Sequence, residues 1–524
     1  MRIQNTSKKL AVTLTYVSIV VQALSTMFLT SFYLRELGSE TYGLYQMINA
    51  VAQYILILDL GISTVMVRYI AEFETKHDHE RSENFAFHFG LIVVLVMIIV
   101  LILGITVDCN IENIYQNLTA EEYAVSHRMF KFIIVQLLFT VAGHFFQGIS
   151  FAYEQFSFEK MLSVIQLIVN TLLIVILIKL GSGVLGIVIA NCAVIVLHTI
   201  ISALYAAFAV GFRVRFHGWE LSMLKPAFLL MVAMLLQAIV GHVNSSVDKT
   251  VLGIMATKSD VAVYAVAATI ITMFNTLPSA ITSVFQPAAV KLVTNQADSD
   301  QLTDFVVRPG RLQFMLIGGF IGGFFLFGRD FIICWTGEEM LDAWVYVLII
   351  LLPNAVPLMQ NTCLSLLNAM DKRMFRSLIL VGMTAVNIGM TVAFIPLMGP
   401  VGAPIATGIS YVIGHVIIMN IYYGKKIGLH IFRMFRGIFH RSWYCVLLAL
   451  IINLPLMLWT VNGNWPVMLL KAFVFCAVYI FLLWKFAMNE DEKRMMLSML
   501  SKLGLKKNSD VAADELSDIK SGKE

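Results

Sequence analysis

Gly183-Val184-Leu185-Gly186, followed by Ile189-Ala190, returns about 216 residues later as Gly399-Pro400-Val401-Gly402 with Ile405-Ala406. The echo extends outward in the same order. Gly61-Ile62-Ser63-Thr64-Val65 lines up with Ala280-Ile281-Thr282-Ser283-Val284, and Tyr45 with Tyr264. Ala152-Tyr153-Glu154 lines up with Ala369-Met370-Asp371, and Asn170 with Asn387. The offset drifts only from about 219 to about 216, so the order of elements is kept. Leu, Ile and Val matches between apolar helices arise by chance, so the shared Gly, Asn and acid positions carry the weight. Two similar membrane halves enclose a cavity between them, and rocking one against the other moves its opening across the bilayer. The duplication therefore points to transport.

Composition places the halves in lipid. The chain is 59% hydrophobic and only 13% charged, with a mean hydropathy of +0.81. A soluble globular chain carries about 25% charged residues. A spanning helix needs about 20 mostly apolar residues, and about fourteen such stretches are legible. The expected fold is all-α and polytopic. Residues 1–210 form an N-terminal six-helix bundle and residues 227–424 a second one related by a pseudo-twofold. Residues 425–488 add an interfacial helix and two more transmembrane helices, and residues 489–524 a cytoplasmic tail.

Charge sets the orientation. Lys8, Lys9, Lys76, Arg81, Arg213, Arg215, Lys372, Arg373, Arg376, Lys425, Lys426, Arg433, Arg436 and Arg441 share one side if the N-terminus is inside. Basic residues gather on the cytoplasmic side, so both termini are expected there. The first apolar stretch is too long for a signal-peptide core and reads as an uncleaved span. The net charge of +4 is then a topology signal, and no nucleic-acid partner is expected. Lys426 to Arg441 mixes apolar residues with Arg at helical spacing and suits the lipid headgroup layer. Glu492 to Leu505 has a similar apolar face, and Lys506 to Glu524 reads as disordered.

No enzyme signature is present. HExxH, a P-loop and GxSxG are all missing, and the outer connections are too short to fold a catalytic domain. Six scattered cysteines contain no CxxC, so neither zinc nor a disulfide framework is indicated. Cys109 and Cys334 both fall near the outer face, where free thiols are expected. His77-Asp78-His79 sits in a charged, solvated loop and is a poor metal site. No cofactor is expected.

Ionisable residues inside spans are costly and are functional candidates by default. Asp59 lies in the second span, with Arg68 at its inner end; Asp248 and Lys249 lie in the seventh. Blander readings stand beside each. Asp59 suits a cap or turn before Gly61, Arg68 a headgroup anchor, and Asp248-Lys249 a helix end reaching outer water. Lys471, in the last span, either snorkels or contacts a partner helix. Arg329-Asp330 suits the outer interface. Gln22, Asn170, Asn191, Asn244 and Asn387 are among the polar residues that either line a cavity or bond across packed helices.

The run Leu37-Gly38-Ser39-Glu40-Thr41-Tyr42-Gly43-Leu44-Tyr45-Gln46 resembles the opening of bacterial polysaccharide flippases. Asp59-Leu60-Gly61-Ile62-Ser63, Arg68-Tyr69-Ile70-Ala71-Glu72, Ser246-Val247-Asp248-Lys249 and Gly399-Pro400-Val401-Gly402-Ala403-Pro404-Ile405-Ala406 extend the likeness over nearly the whole chain. These flippases belong to the multidrug/oligosaccharidyl-lipid/polysaccharide (MOP) exporter superfamily. The resemblance implies a V-shaped pair of bundles with twelve to fourteen helices. It also implies a lipid-linked oligosaccharide substrate, carried on undecaprenyl pyrophosphate from inner to outer leaflet by a functional monomer. Membrane lipids and the polysaccharide assembly machinery are the other implied partners. An anionic headgroup needs cations and a wet lining. Arg35, Arg68 and Lys249 supply the charge, and Gln22, Asn170, Asn244 and Asn387 suit sugar hydroxyls. Asp59 or Asp248 is the expected point of H⁺ or Na⁺ coupling. A lipid II flippase shares the architecture. A drug/cation antiporter of the superfamily wants a carboxylate in the first span, Leu10 to Tyr33, which has none. A glycan polymerase or ligase needs the outer domain that this chain lacks.

Overall fold

The computed structural model describes residues 2–494 except Leu60, Asp371, Thr460, Asn462 and Asp491, and leaves side chains such as those of 2–12 and 236–245 undescribed. Most of the expected 489–524 tail, and the Glu492 to Leu505 helix beyond residue 494, lie outside the described residues. No strand occurs among the described residues.

In chain order the helices are α1 (Arg2–Ile55), α2 (Ile62–Thr75), α3 (His79–Cys109), α4 (Ile111–Ile114), α5 (Ala120–Ala152) and α6 (Phe156–Leu177). Then come α7 (Leu185–Leu204), α8 (Leu224–Met255), α9 (Lys258–Thr294), α10 (Ser299–Trp335), α11 (Asp342–Met359) and α12 (Asn361–Ala369). The last are α13 (Arg373–Met398), α14 (Gly402–Tyr411), α15 (Met419–Tyr422), α16 (Ile431–Phe439), α17 (Ser442–Asn453) and α18 (Trp465–Leu482).

Eleven helical stretches among the described residues are long and apolar enough to cross a membrane. Two of them are far longer than one crossing requires. Thr13–Thr75 runs 63 residues and Phe375–Ile427 runs 53. At 1.5 Å per residue these are about 95 and 80 Å of helix against about 30 Å of hydrocarbon. Each is interrupted where glycine takes a positive φ, at Gly38 (80°) and Gly399 (73°). Glycine reaches that conformation without the Cβ clash that other residues meet.

The chain divides into two compact units. One comprises Met1–Thr276, Trp335–Asn354 and Lys372–Met419; the other comprises Leu277–Cys334, Ala355–Asp371 and Asn420–Glu524. In the first unit, Tyr42, Met47, Ile48, Ile62, Met66, Ile70, Phe85, Phe89 and Phe130 are fully buried. They come from α1, α2, α3 and α5.

The second unit shows how the C-terminal helices are attached. Gly318-Gly319-Phe320-Ile321-Gly322-Gly323 puts a glycine stripe on α10. A Cβ on Gly319 would lie 2.4 Å from Tyr479 Cε1, and one on Gly323 3.0 Å from Phe475 Cε1. Small residues let membrane helices approach closely, and the rings of α18 fill that groove. Arg311, 5% exposed, donates to Glu492 Oε1 at 2.8 Å and to the carbonyls of Gly437, His440 and Ala487. It thereby satisfies backbone acceptors where the α16 and α18 segments end.

Lys471 does not reach an interface. It is 1% exposed and its Nζ lies 2.8 Å from Asp330 Oδ2, with the Trp459 carbonyl as a second acceptor. The ammonium also sits 5.7 Å from the Phe327 ring centre. The partner-helix reading therefore holds over snorkelling. The short α16 buries Met434 and Ile438 and pairs Arg433 with Asp300 and Asp304. All six cysteines are free; Cys109 is exposed and Cys334 buried.

Candidate functional site

Asp248 sits seven residues before the end of the α8 helix at Met255, yet it is 2% exposed. It does not reach water as a helix end would. Its Oδ2 accepts from Tyr264 Oη and from Thr407 Oγ1 at 2.7 Å. Its Oδ1 accepts from Asn387 Nδ2 and Thr391 Oγ1, each at 3.2 Å. Asn387 and Thr391 are four residues apart on α13 and therefore share a face. Tyr264 comes from α9 and Thr407 from α14, so four helices of the first unit meet at one carboxylate.

Every donor in this cradle is neutral. No cationic side chain pairs with Asp248 among the described residues. Its neighbour Lys249 turns away, because adjacent helical residues point about 100° apart, and donates to Gln46 Oε1 at 3.1 Å. Beside it Tyr54 Oη donates to Thr250 Oγ1 at 3.1 Å. A buried carboxylate without a counter-charge is costly in a membrane. The ligands around it are all oxygens or an amide, the kind of set that hard cations favour. No cluster of three or more His, Cys, Asp or Glu suited to a metal is found among the described residues.

The internal repeat explains the cradle and its asymmetry. Asn170 donates to Asn191 Oδ1 at 2.9 Å, and Tyr45 also interacts with Asn191. Shifted by the repeat offset, these three are Asn387, Thr407 and Tyr264. The first repeat thus builds the same polar junction. The offset that relates Tyr45 to Tyr264 puts Leu29 at the Asp248 position, and Ile174 stands where Thr391 does. The first junction is left with a buried, unpartnered Asn170 Oδ1 and no carboxylate.

Asp59 has a different environment. It closes a 3₁₀ turn, Leu56–Asp59, just before Gly61 at φ 63°. The backbone break expected from Asp59-Leu60-Gly61 is there, but no side chain caps α2. The Asp59 carboxylate instead meets His144 of α5, with Nδ1 to Oδ1 at 2.6 Å.

The remaining expected residues are not gathered at Asp248. Arg35 and Gln22 lie exposed on α1, and Arg68 is exposed on α2, its guanidinium 5.8 Å from the Tyr69 ring centre. The side chain of Asn244 lies outside the described residues. Tyr264, Thr391 and Thr407 escape a search for ionisable residues because they carry no charge. His144 carries the signal that would have found it, since it is an ionisable residue inside an apolar span.

A third polar group joins helix ends of the first unit. Lys258, at the start of α9, pairs with Glu122 of α5 and lies 3.5 Å from Glu40 of α1. A Cβ on Gly43 would lie 1.9 Å from the Lys258 carbonyl oxygen, and one on Gly253 2.9 Å from Met47 and Tyr115. These ends of α1, α5, α8 and α9 are in tight contact.

Broken spans, polar junctions between helices and isolated buried charges define a polytopic transporter fold. Solved structures share it. The chain is similar to a structure described as lipid II flippase MurJ in an inward closed conformation, with 14% identity and a TM-score of 0.66, covering 90% of this chain and 97% of that one. It is similar to an inward-facing multidrug resistance MATE transporter of the MOP superfamily, with 15% identity and a TM-score of 0.61, covering 80% and 96%. It is also similar to a MOP superfamily transporter from Pyrococcus furiosus, with 15% identity and a TM-score of 0.51, covering 83% and 96%. No curated relative matches. The family model described as polysaccharide biosynthesis protein matches residues 10–293, and the chain belongs to that family.

Proposed function

We propose that the protein flips an undecaprenyl-pyrophosphate-linked oligosaccharide from the inner to the outer leaflet of a bacterial cytoplasmic membrane, for cell-surface polysaccharide synthesis. The family match over residues 10–293, on a transporter fold, is the observation that carries this reading. The sugar-pyrophosphate head enters a hydrated cavity while its lipid tail stays in the bilayer. Arg35, Arg68 and Lys249 offer positive charge to the pyrophosphate. Gln22, Asn170 and Asn244 suit sugar hydroxyls. The two repeats rock as bundles in alternating access, and the chain works as a monomer beside the polysaccharide assembly machinery.

Asp248 is the coupling residue in this scheme. Its cradle offers oxygen ligands from Asp248, Asn387, Thr391 and Thr407, and lacks a positive charge. H⁺ or Na⁺ supplies that charge, and its arrival or loss biases the packing of α8 against α13 and α14. Asn387 then serves the ion rather than the sugar.

The test uses purified protein in liposomes with a fluorescent polyprenyl-pyrophosphate oligosaccharide. Flipping is followed by loss of fluorescence to a membrane-impermeant quencher. Movement of this substrate, absent in protein-free liposomes, is expected. Movement of lipid II in its place would transfer the assignment to peptidoglycan precursor. Movement of neither would end the flippase reading.

A further inference from the structure

We propose that Asp59 and His144 form a proton-binding site in the first repeat, separate from the Asp248 cradle and acting as a second point of coupling. The proposal rests on the transport reading above and names the ion for this site. The two side chains meet at 2.6 Å and are 25% and 35% exposed. A neutral imidazole beside the carboxylate leaves one negative charge; an imidazolium leaves none. Inside an apolar span those two states differ greatly in solvation cost. The proton is taken up by an imidazole nitrogen and returned from it, and no other bond changes.

The site lies where the backbone is interrupted. Asp59 ends a 3₁₀ turn and Gly61 follows at φ 63°. Interrupted helices are where membrane transporters place ion sites, because the free backbone ends and the hinge coincide. His198 of α7 lies close enough to His144 to interact electrostatically, and its Nε2 is buried without a partner. A change of charge at His144 is thus felt on α2, α5 and α7 together.

Other ionisable groups on the surrounding helices have separate engagements. On α1, Tyr54 donates to Thr250. On α2, Arg68 lies against Tyr69. On α3, His88 uses Nδ1 on the Asn84 carbonyl. On α6, Glu159 accepts from Ser202. On α8, Asp248 is held in its cradle, Lys249 bonds Gln46, and the side chain of His242 is undescribed. Besides Asp59, His198 is the titratable neighbour that the described contacts tie to His144.

Imidazole NMR of the full chain in nanodiscs, with ¹⁵N-labelled histidine, tests the site directly. The chain has 11 histidines, and the signal lost in His144→Gln identifies residue 144. Its protonation state is followed across a pH series from about 5 to 8. Asp59→Asn should move its midpoint and Asp59→Glu should retain it. A His144 signal fixed in one protonation state over that range, or unmoved by Asp59→Asn, overturns the proposal. In flipping assays the rate ratio between about pH 6 and pH 8 should be several-fold for the unaltered chain. It should fall toward unity in Asp59→Asn and His144→Gln; an unflattened profile also overturns the proposal. Failure of the unaltered chain to flip any lipid-linked sugar would refute the transport reading, while the NMR titration still decides the site.

Discussion

At the scale of single residues, Asp248 and Leu29 make the sharpest contrast. The two repeats build the same junction of Tyr, Asn and a third polar residue, but only one contains a carboxylate. One cation at this junction is the expected consequence. Sodium stimulation of flipping through this cradle, measured at fixed pH, should follow a Hill coefficient near one, and a coefficient near two would contradict it. Asp248→Asn replaces an acceptor by an amide whose NH₂ faces the donors Tyr264 and Thr407. An unsatisfied buried group costs about 1–3 kcal/mol. The variant should lose sodium stimulation and melt at a lower temperature in detergent; retention of full sodium dependence would show that the sodium site is elsewhere. The identity of Asp248 as a candidate was legible from its place in an apolar span. Its partners were not, because Thr391 and Thr407 are ordinary residues until three helices bring them together.

At the scale of elements, glycine decides how helices meet. The stripe Gly318, Gly319, Gly322 and Gly323 lets Tyr479 and Phe475 of α18 lie against α10. Gly319→Leu inserts a branched side chain where even a Cβ stands 2.4 Å from Tyr479. Overpacking of this kind costs about 1–3 kcal/mol. The expected result is a lower melting temperature, with faster proteolysis between α16 and α18; an unchanged melting curve would show that α18 is not held there. The Arg311–Glu492 and Lys471–Asp330 pairs serve the same attachment. The sequence left Lys471 between snorkelling and contact with a partner helix, and placed Asp330 at the outer interface. Lys471 and Asp330 are 141 positions apart, and only the tertiary arrangement makes them neighbours.

At the scale of the whole molecule, orientation is the property most exposed to test. Lys and Arg cluster on one set of connections, and Cys109 falls on the opposite set. Cys109 is exposed and ends α3. In intact cells a membrane-impermeant maleimide should label it, and a Cys109→Ser variant should lose that labelling. Labelling only after permeabilisation would reverse the topology, and with it the direction of transport. The same assay addresses the contacts around Lys258, which lie on the Cys109 side of the predicted topology.

The sequence by itself determined the solvent and the helical class. Each follows from local information: apolar runs of spanning length and the scarcity of charge. It also marked Asp59 and Asp248, because a charge within an apolar run is conspicuous without any partner. Only the tertiary structure decided what those charges meet. His144 meets Asp59 across 85 residues and Thr407 meets Asp248 across 159. Hydrogen bonding depends on distances of a few ångströms between helices, and no spacing along one helix encodes them.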